Sequence, residues 1–335
     1  MMKIIIGDIG GTKTLLSLLE VSNNKDYKVL KQTRYSSLIY DSFESIVKEF
    51  LREDYADQGC FAIAGPVINN SCNLTNLNWY LEGEKLGKEL AIKRVTLLND
   101  FAAVSYGILT LKEEDLETLQ IGQKNSNSTI GVVGAGTGLG ESFLVNHDGK
   151  YQVISTEGGH TDFSARNELE WQLLNYLKAK NKWDRVSVER IVSGQGIVAI
   201  YQFLRDINFA KESPEISQQI KQWESGDNSI DAGAIIGLSA MKKDDILTSK
   251  TISIFIETYA SEIGNFALKI LPYGGIYIAG GIAEKIIDLL EENNFRETFL
   301  AKGRMKNLLE KMPLYIVKNP EIGLKGCIYY LLNEL

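Results

Sequence analysis

The stretch Ile4-Ile5-Ile6-Gly7-Asp8-Ile9-Gly10-Gly11-Thr12-Lys13-Thr14-Leu15-Leu16-Ser17-Leu18-Leu19 sets two apolar runs on either side of a glycine-rich turn. It predicts two strands joined by a hairpin. Paired glycines let the backbone bend with φ > 0 and bring its N–H groups against a phosphate. Thr12 and Lys13 add a hydroxyl donor and a cation, and Asp8 stands where a Mg²⁺ carried by the phosphates would lie. The same residues suit an ordinary Asp-Gly turn, so the segment alone leaves both readings open.

A second copy favours the phosphate reading. Thr129 to Val133 is an apolar strand, Gly134-Ala135-Gly136-Thr137-Gly138-Leu139-Gly140 carries four alternating glycines, and Glu141 to Val145 is a further strand. Leu139 occupies the place of the third glycine in a dinucleotide fingerprint, and the Walker Lys-Ser/Thr pair is absent. Strand, glycine turn, strand thus occurs twice, which implies two related half-molecules, each offering one hairpin to a phosphate chain.

The chain has 335 residues, 44% hydrophobic and 24% charged, with a formal charge of −7. That length suggests two domains and buries roughly three quarters of the unfolded surface. The acidic balance, with no basic cluster, argues against nucleic acid and for a small-molecule partner. Met1-Met2-Lys3 leads straight into a strand, too short for a signal peptide, and no apolar run approaches the ~18 residues of a membrane span. Cys60, Cys72 and Cys327 show no metal-ligand spacing, which points to reduced thiols in the cytoplasm.

A third strand near Tyr27 to Tyr35 completes a meander. A helix capped by Ser42 follows, with Phe43, Ile46, Val47, Phe50 and Leu51 at helical spacing. Phe61 to Ala64 is a short strand, Asn69 to Trp79 (Thr75 included) reads as an exposed loop, and Glu82 to Leu90 as a helix. The strand Val95 to Leu98 stops at Asn99-Asp100, where open α/β sheets gather ligands. Asp100 also fits the N-cap of the next helix, and both readings stand together.

Tyr151 to Ser155 reads as a strand ending in Glu157-Gly158-Gly159-His160, a carboxylate and an imidazole separated by a flexible pair. A lone His is more often a capped or core residue than a ligand. Ser187 is read as an N-cap, Glu189 as an early acidic residue in that helix, and Gly194 and Gly196 as its end. Phe209 to Asn228 reads as a surface helical excursion, and Glu168 to Leu177, Ala232 to Met241 and Thr251 to Leu271 as helices. Gly275 to Ile282 is a strand entering a glycine pair that admits a flat base or ribose. Leu314 to Lys318 is a strand, and the terminal helix, Ile322 to Leu332, needs a face to dock on.

In order along the chain, Asp8-Ile9-Gly10-Gly11-Thr12, Leu98-Asn99-Asp100-Phe101, Gly134 to Gly140, Glu157-Gly158-Gly159-His160, Glu189-Arg190-Ile191-Val192-Ser193-Gly194 and Ala279-Gly280-Gly281-Ile282 resemble the motifs of bacterial glucokinases. These belong to the hexokinase, Hsp70 and actin superfamily, here in a version without the zinc cysteines of ROK relatives. The resemblance covers essentially the whole chain. It implies an α/β fold of two ribonuclease H-like (actin-like ATPase) domains with a deep cleft, a small domain of residues 1–109 plus 320–335 and a large one of 110–319.

The resemblance further implies ATP-dependent phosphorylation of D-glucose at the 6-hydroxyl, the first step of glycolysis, by a cytoplasmic homodimer. Asp100 would be the general base. Asn99 would bind the 3- and 4-hydroxyls, Glu157 the 2- and 3-hydroxyls, and His160 and Glu189 the anomeric end. ATP and its Mg²⁺ would meet Asp8, Gly10, Gly11, Thr12, Lys13, Gly136, Thr137 and Gly138, with Gly280 and Gly281 along the adenosine. No tightly bound metal is expected, Asp8 being the one candidate contact. Lys13 stands where Asn is also found in relatives. A hexokinase for mannose or an N-acetylhexosamine is the runner-up, and a non-catalytic sugar sensor comes after it.

Overall fold

Ile4, Ile5 and Ile6 are all buried because the strand they form, β1 (Met2–Ile9), is covered on both faces. Ile5 and Ile9 enter one core with Leu16, Phe43 and Phe61, while Ile4 and Ile6 enter another with Leu19, Cys60, Cys327 and Leu331. Period-two alternation sends neighbouring side chains to opposite faces. These features belong to a computed structural model that describes residues 1–74, 76–227 and 229–334. Thr75 and Asn228, read above as parts of polar surface segments, and Leu335 lie outside the described residues.

The chain forms two compact units, one of Met1–Glu113, Val153–Ser155 and Asn319–Leu335, the other of Glu114–Gln152 and Thr156–Lys318. In the first, β2 (Lys13–Val21) and β3 (Tyr27–Ser36) complete the antiparallel meander. The helix α1 (Phe43–Leu51) follows, with Ser42 accepting from Ser45 N–H at its cap. Then come β4 (Gln58–Ile63), β5 (Ser71–Leu74), β6 (Trp79–Glu82), α2 (Gly83–Leu90), β7 (Arg94–Asn99) and α3 (Asp100–Ile108). The sheet order is β3-β2-β1-β4-β7, with β1, β4 and β7 parallel. The C-terminal helix, Ile322–Glu334, docks on this unit, where Gly326 and Gly107 let it close on α3: a Cβ at Gly326 would lie 1.7 Å from Ala103 O.

The second unit holds β8 (Leu116–Gln120), β9 (Ile130–Ala135), β10 (Leu139–His147), β11 (Lys150–Thr156), β12 (Gly275–Ala279) and β13 (Leu314–Val317), in the order β11-β10-β9-β12-β13-β8. With the added edge strand β8 removed, that order repeats the first sheet. Again the hairpin pair, β9 and β10, is antiparallel and β9, β12 and β13 are parallel. The inferred duplication is therefore real at the level of topology. Its helices are α4 (Glu168–Asn181), α5 (Gly194–Asp206), α6 (Pro214–Glu224), α7 (Ala232–Lys242), α8 (Ile246–Ile270) and α9 (Gly281–Lys285), followed by short helices between Ile287 and Leu309 that the sequence reading did not resolve.

Three readings are corrected. The segment Asn69 to Trp79 is no loop: it contributes β5 and part of β6, an antiparallel pair whose Cys72, Leu74, Trp79 and Leu81 are buried. Its asparagines masked that alternation, and one of them caps a sheet edge: Asn70 donates to Val95 O at 2.9 Å and accepts from Leu97 N–H at 2.7 Å. This occupies hydrogen-bonding groups that an edge strand otherwise leaves open. Gly194 and Gly196 open α5 rather than end a helix, since Ser193 accepts from Gly196 N–H and is the cap; Val188–Arg190 before it is only a 3-10 turn. The helix expected to start at Thr251 begins at Ile246, capped by Asp245 on Thr248 N–H.

Candidate active site

In the first unit the polar residues stand at the carboxyl ends of parallel strands. Asp8 is level with Ala62 and Leu98, and Ile9 with Ile63 and Asn99, so two strand spacings, about 10 Å, separate β1 from β7. Asn99, not Asp100, is the N-cap of α3: its Oδ1 accepts from Phe101 N–H (3.0 Å) and Ala102 N–H (3.1 Å). Its amide donates to Gly65 O and to Asp100 Oδ1, both at 3.0 Å. A sugar hydroxyl reaching Asn99 must share or replace one of these bonds.

Asp100 accepts from Phe101 N–H at 2.8 Å and from Asn99 on the same oxygen, leaving Oδ2 without a hydrogen bond among the described residues. Lost hydration pushes its carboxyl up to about 6; the Asp8 carboxylate adds to this, while Phe101 N–H and Asn99 oppose it. A base in that range is ionised at neutral pH yet basic enough to receive a proton. Asp8 is reached by water but enclosed enough that lost hydration raises it too, against the pull of Arg34.

The turn between β1 and β2 is closed by Gly10 N–H donating to Lys13 O at 2.9 Å. Neither Gly10 nor Gly11 enters the left-handed region, contrary to the expectation of φ > 0. Ser37, absent from the sequence-based site, fixes this turn: its N–H donates to Thr12 O (2.9 Å), its hydroxyl donates to Gly10 O (3.0 Å) and pairs with Thr14 Oγ1. Thr12 and Lys13 remain exposed.

In the second unit, Gly136 N–H donates to Gly138 O at 2.8 Å, closing the turn between β9 and β10. A Cβ at Gly136 would meet nothing within 4 Å, and Thr137 is exposed. The turn has an open outer side. Gly194 N–H, at the start of α5, donates to Gly136 O at 2.8 Å, so the positive end of that helix is directed at the turn, a favourable field for an anion. At the end of β12, which runs beside β9, Gly280 has φ 88° and a Cβ there would lie 2.5 Å from Ala135 O, so only glycine fits; Gly281 opens α9, and both are exposed.

Glu157, His160 and Glu189 come together in this unit. His160 Nε2 is 3.7 Å from Glu157 Oε2 and His160 Nδ1 is 4.0 Å from Glu189 Oε1. Glu189 is not a helix-dipole residue as read above: its Oε2 accepts from Leu139 N–H at 3.0 Å, tying the 3-10 turn Val188–Arg190 to β10. The imidazole thus stands between two carboxylates, a set of acceptors and a donor suited to sugar hydroxyls. The pair Gly158 and Gly159 serves close packing rather than flexibility, because neither takes positive φ and a Cβ on Gly159 would lie 2.2 Å from Leu139 O. Among the described residues no three His, Cys, Asp or Glu side chains gather in a metal-holding group, and no helix is long and apolar enough to cross a membrane.

The first unit thus presents a glycine turn and a carboxyl with one oxygen unengaged, and the second a glycine turn and an imidazole between two carboxylates. The family model for glucokinase matches residues 5–334. The chain belongs to the glucokinase family. It is 50% identical over 331 residues to a glucokinase of Trichormus variabilis, covering 96% of this chain and 97% of that relative. The crystal structure of a glucokinase from an Antarctic psychrotroph matches with a TM-score of 0.79 at 26% identity, covering 99% of both chains. That of the Balamuthia mandrillaris glucokinase in complex with glucose matches with a TM-score of 0.77, covering 98% of this chain and 93% of that one; at 21% identity it attests the fold. The expected actin-like α/β class is the class of these neighbours.

Proposed function

We propose that the chain is an ATP-dependent kinase that transfers the γ-phosphoryl group to the 6-hydroxyl of D-glucose, giving glucose 6-phosphate and ADP. One observation carries the reading beyond family membership: Asp100 sits at a strand end with one carboxyl oxygen unengaged and its pKa raised to about 6. That oxygen orients the attacking hydroxyl and takes its proton, a contribution of about 10² to 10⁴ in rate. Charge developing on the phosphoryl oxygens is met by the Lys13 cation, the Thr12 and Thr137 hydroxyls and the turn N–H groups other than those of Gly10 and Gly136, which close the turns.

Glu157, His160, Glu189 and Asn99 select the sugar, since a polar group that the bound sugar encloses and leaves without a hydroxyl partner costs about 1 to 3 kcal/mol. Gly280 and Gly281 offer side-chain-free backbone to adenosine. Asp8, an exposed oxygen donor, suits the hard cation that the nucleotide brings, which supplies charge neutralisation when bound. We further place the protein in the cytoplasm as a homodimer at the entry of glycolysis; three free, buried cysteines suit a reducing compartment, and light scattering tests the dimer.

The experiment is ADP formation with Mg-ATP across a hexose panel, beside Asp100→Asn. Glucose-dependent turnover that the variant loses is the expected outcome. Preference for another hexose would replace the substrate while keeping the mechanism, and glucose binding without ATP consumption in the unaltered chain would mark a sensor.

A further inference from the structure

The turn that presents Glu157 and His160 rests on a buried carboxyl. A Cβ at Gly158 would lie 2.0 Å from Glu141 Oε2, so the backbone sits directly on that side chain. Thr156 couples the two, its hydroxyl donating to Glu141 O at 2.9 Å and accepting from Gly158 N–H at 3.1 Å. Glu141 is 3% exposed, Glu262 on α8 6% and Thr258, one helical turn before it, 3%. Glu141 Oε1, Glu262 Oε1 and Thr258 Oγ1 all lack hydrogen-bond partners.

The charged and titratable groups around Glu141 are Glu262, Lys269 and Tyr259 from α8, with exposed Glu157 and His160 on the turn above. Lys302 stands against Glu262 but spends its donors on Ser261 O and Asn265 Oδ1. A carboxyl enclosed as Glu141 is resists ionising, because its charge is deprived of water and repelled by the neighbouring Glu262.

We propose that Glu141 is a positioning residue for the sugar-binding turn, and that the proton on its own carboxyl keeps the turn seated. When that proton leaves to solvent, a negative charge arises directly beneath Gly158, and the turn lifts. Burial, reinforced by Glu262, pushes the Glu141 carboxyl up to about 7, so release falls just above neutrality. The inference rests on the sugar-binding reading of Glu157 and His160.

Hydrogen exchange of the Gly158, Gly159 and His160 amides between pH 6 and 9, expressed as protection factors, tests it without any substrate. Protection should fall roughly tenfold in the unaltered chain across that range, stay flat in Glu141→Gln, which cannot take the charge, and begin to fall at lower pH in Glu262→Gln, where the repelling carboxylate is gone. Glucose KM should rise about five- to tenfold over the same interval while kcat changes no more than about twofold, and this rise should vanish in Glu141→Gln. Equal pH dependence in the unaltered chain and Glu141→Gln, or none in the unaltered chain, overturns the proposal. A flat Glu141→Gln variant with no glucose-dependent ADP formation in any form would keep the protonated seat and discard the kinase reading; the converse pattern discards the seat alone.

Discussion

The turns at Gly10–Thr12 and Gly136–Gly138 occupy the same place in two sheets of the same strand order, yet they are held by different means. The first is fixed by a serine: Ser37 bonds to Gly10 O and Thr12 O. The second is fixed by a helix start and a carboxylate, through Gly194 N–H on Gly136 O and Glu189 on Leu139 N–H. The repeated topology preserves a backbone path, whereas the bracing of each copy is built from local residues. The polar side chains divide as well, with Asp100 at a strand end of one unit and His160 with its two carboxylates in the other.

That division is broken most directly by paired substitutions. Asp100→Asn should lower kcat by about 10² to 10⁴, while Glu157→Gln should act mainly on glucose KM, by roughly 5- to 150-fold from about 1 to 3 kcal/mol; steady-state kinetics of both variants at saturating ATP separates the effects. If both lowered only kcat, the two units would not divide the work.

Proton linkage comes next in size. In its proposed role as base Asp100 acts ionised, so kcat/KM should fall tenfold per unit below pH about 6. Glu141 in the second unit affects stability. Its folded pKa, about 7, is above the ordinary 4.5, so the folded state binds more protons and stability falls as pH rises between those values. The difference is on the order of 2 to 3 kcal/mol, and Glu141→Gln should remove it when urea midpoints at pH 5 and pH 8 are compared.

The turns themselves give smaller effects. Gly138→Ala drives its Cβ to 2.5 Å from Glu189 Oε2 and should cost about 1 to 3 kcal/mol by displacing the Leu139 bond. Gly136→Ala meets open space, so stability should stay within about 0.5 kcal/mol while ATP KM rises. Equal KM in the two variants would show that the open side of the turn faces no phosphate. Finally, Ser37→Ala should cost about 1 to 2 kcal/mol and Ser193→Ala about 1 kcal/mol in thermal unfolding, the first raising ATP KM through the first turn only.

Both hairpins were legible because apolar runs and glycine clusters report the backbone path directly. The bracing was not. Ser37 is one serine among many, and its value depends on lying next to Gly10 and Thr12 across a strand pair. Glu141 shares a strand face with apolar Leu139 and Phe143, and nothing in the sequence shows that Glu262 of α8 lies near it. Asn99 and Asp100 are both good cap residues, and only hydrogen bonds show that the first caps α3 while the second keeps an oxygen free. At Gly194, the same glycines that end helices also permit close approach, here to Ile191 O, where a Cβ at Gly196 would lie 2.1 Å away.

The docking of the C-terminal helix beside Ile4, Ile6 and Cys60 bears on synthesis. A ribosome delivers the first sheet long before the helix that covers one of its faces, at about 5 to 20 residues per second. Ile4 and Ile6 therefore wait, uncovered on that side, until Leu324, Cys327, Ile328 and Leu331 emerge. The second unit, contained between Glu114 and Lys318 apart from three residues, has all its strands in hand earlier. Completion of the first unit is thereby deferred until the second has been synthesised, and a nascent chain released before then would expose an apolar sheet face to its neighbours on the polysome.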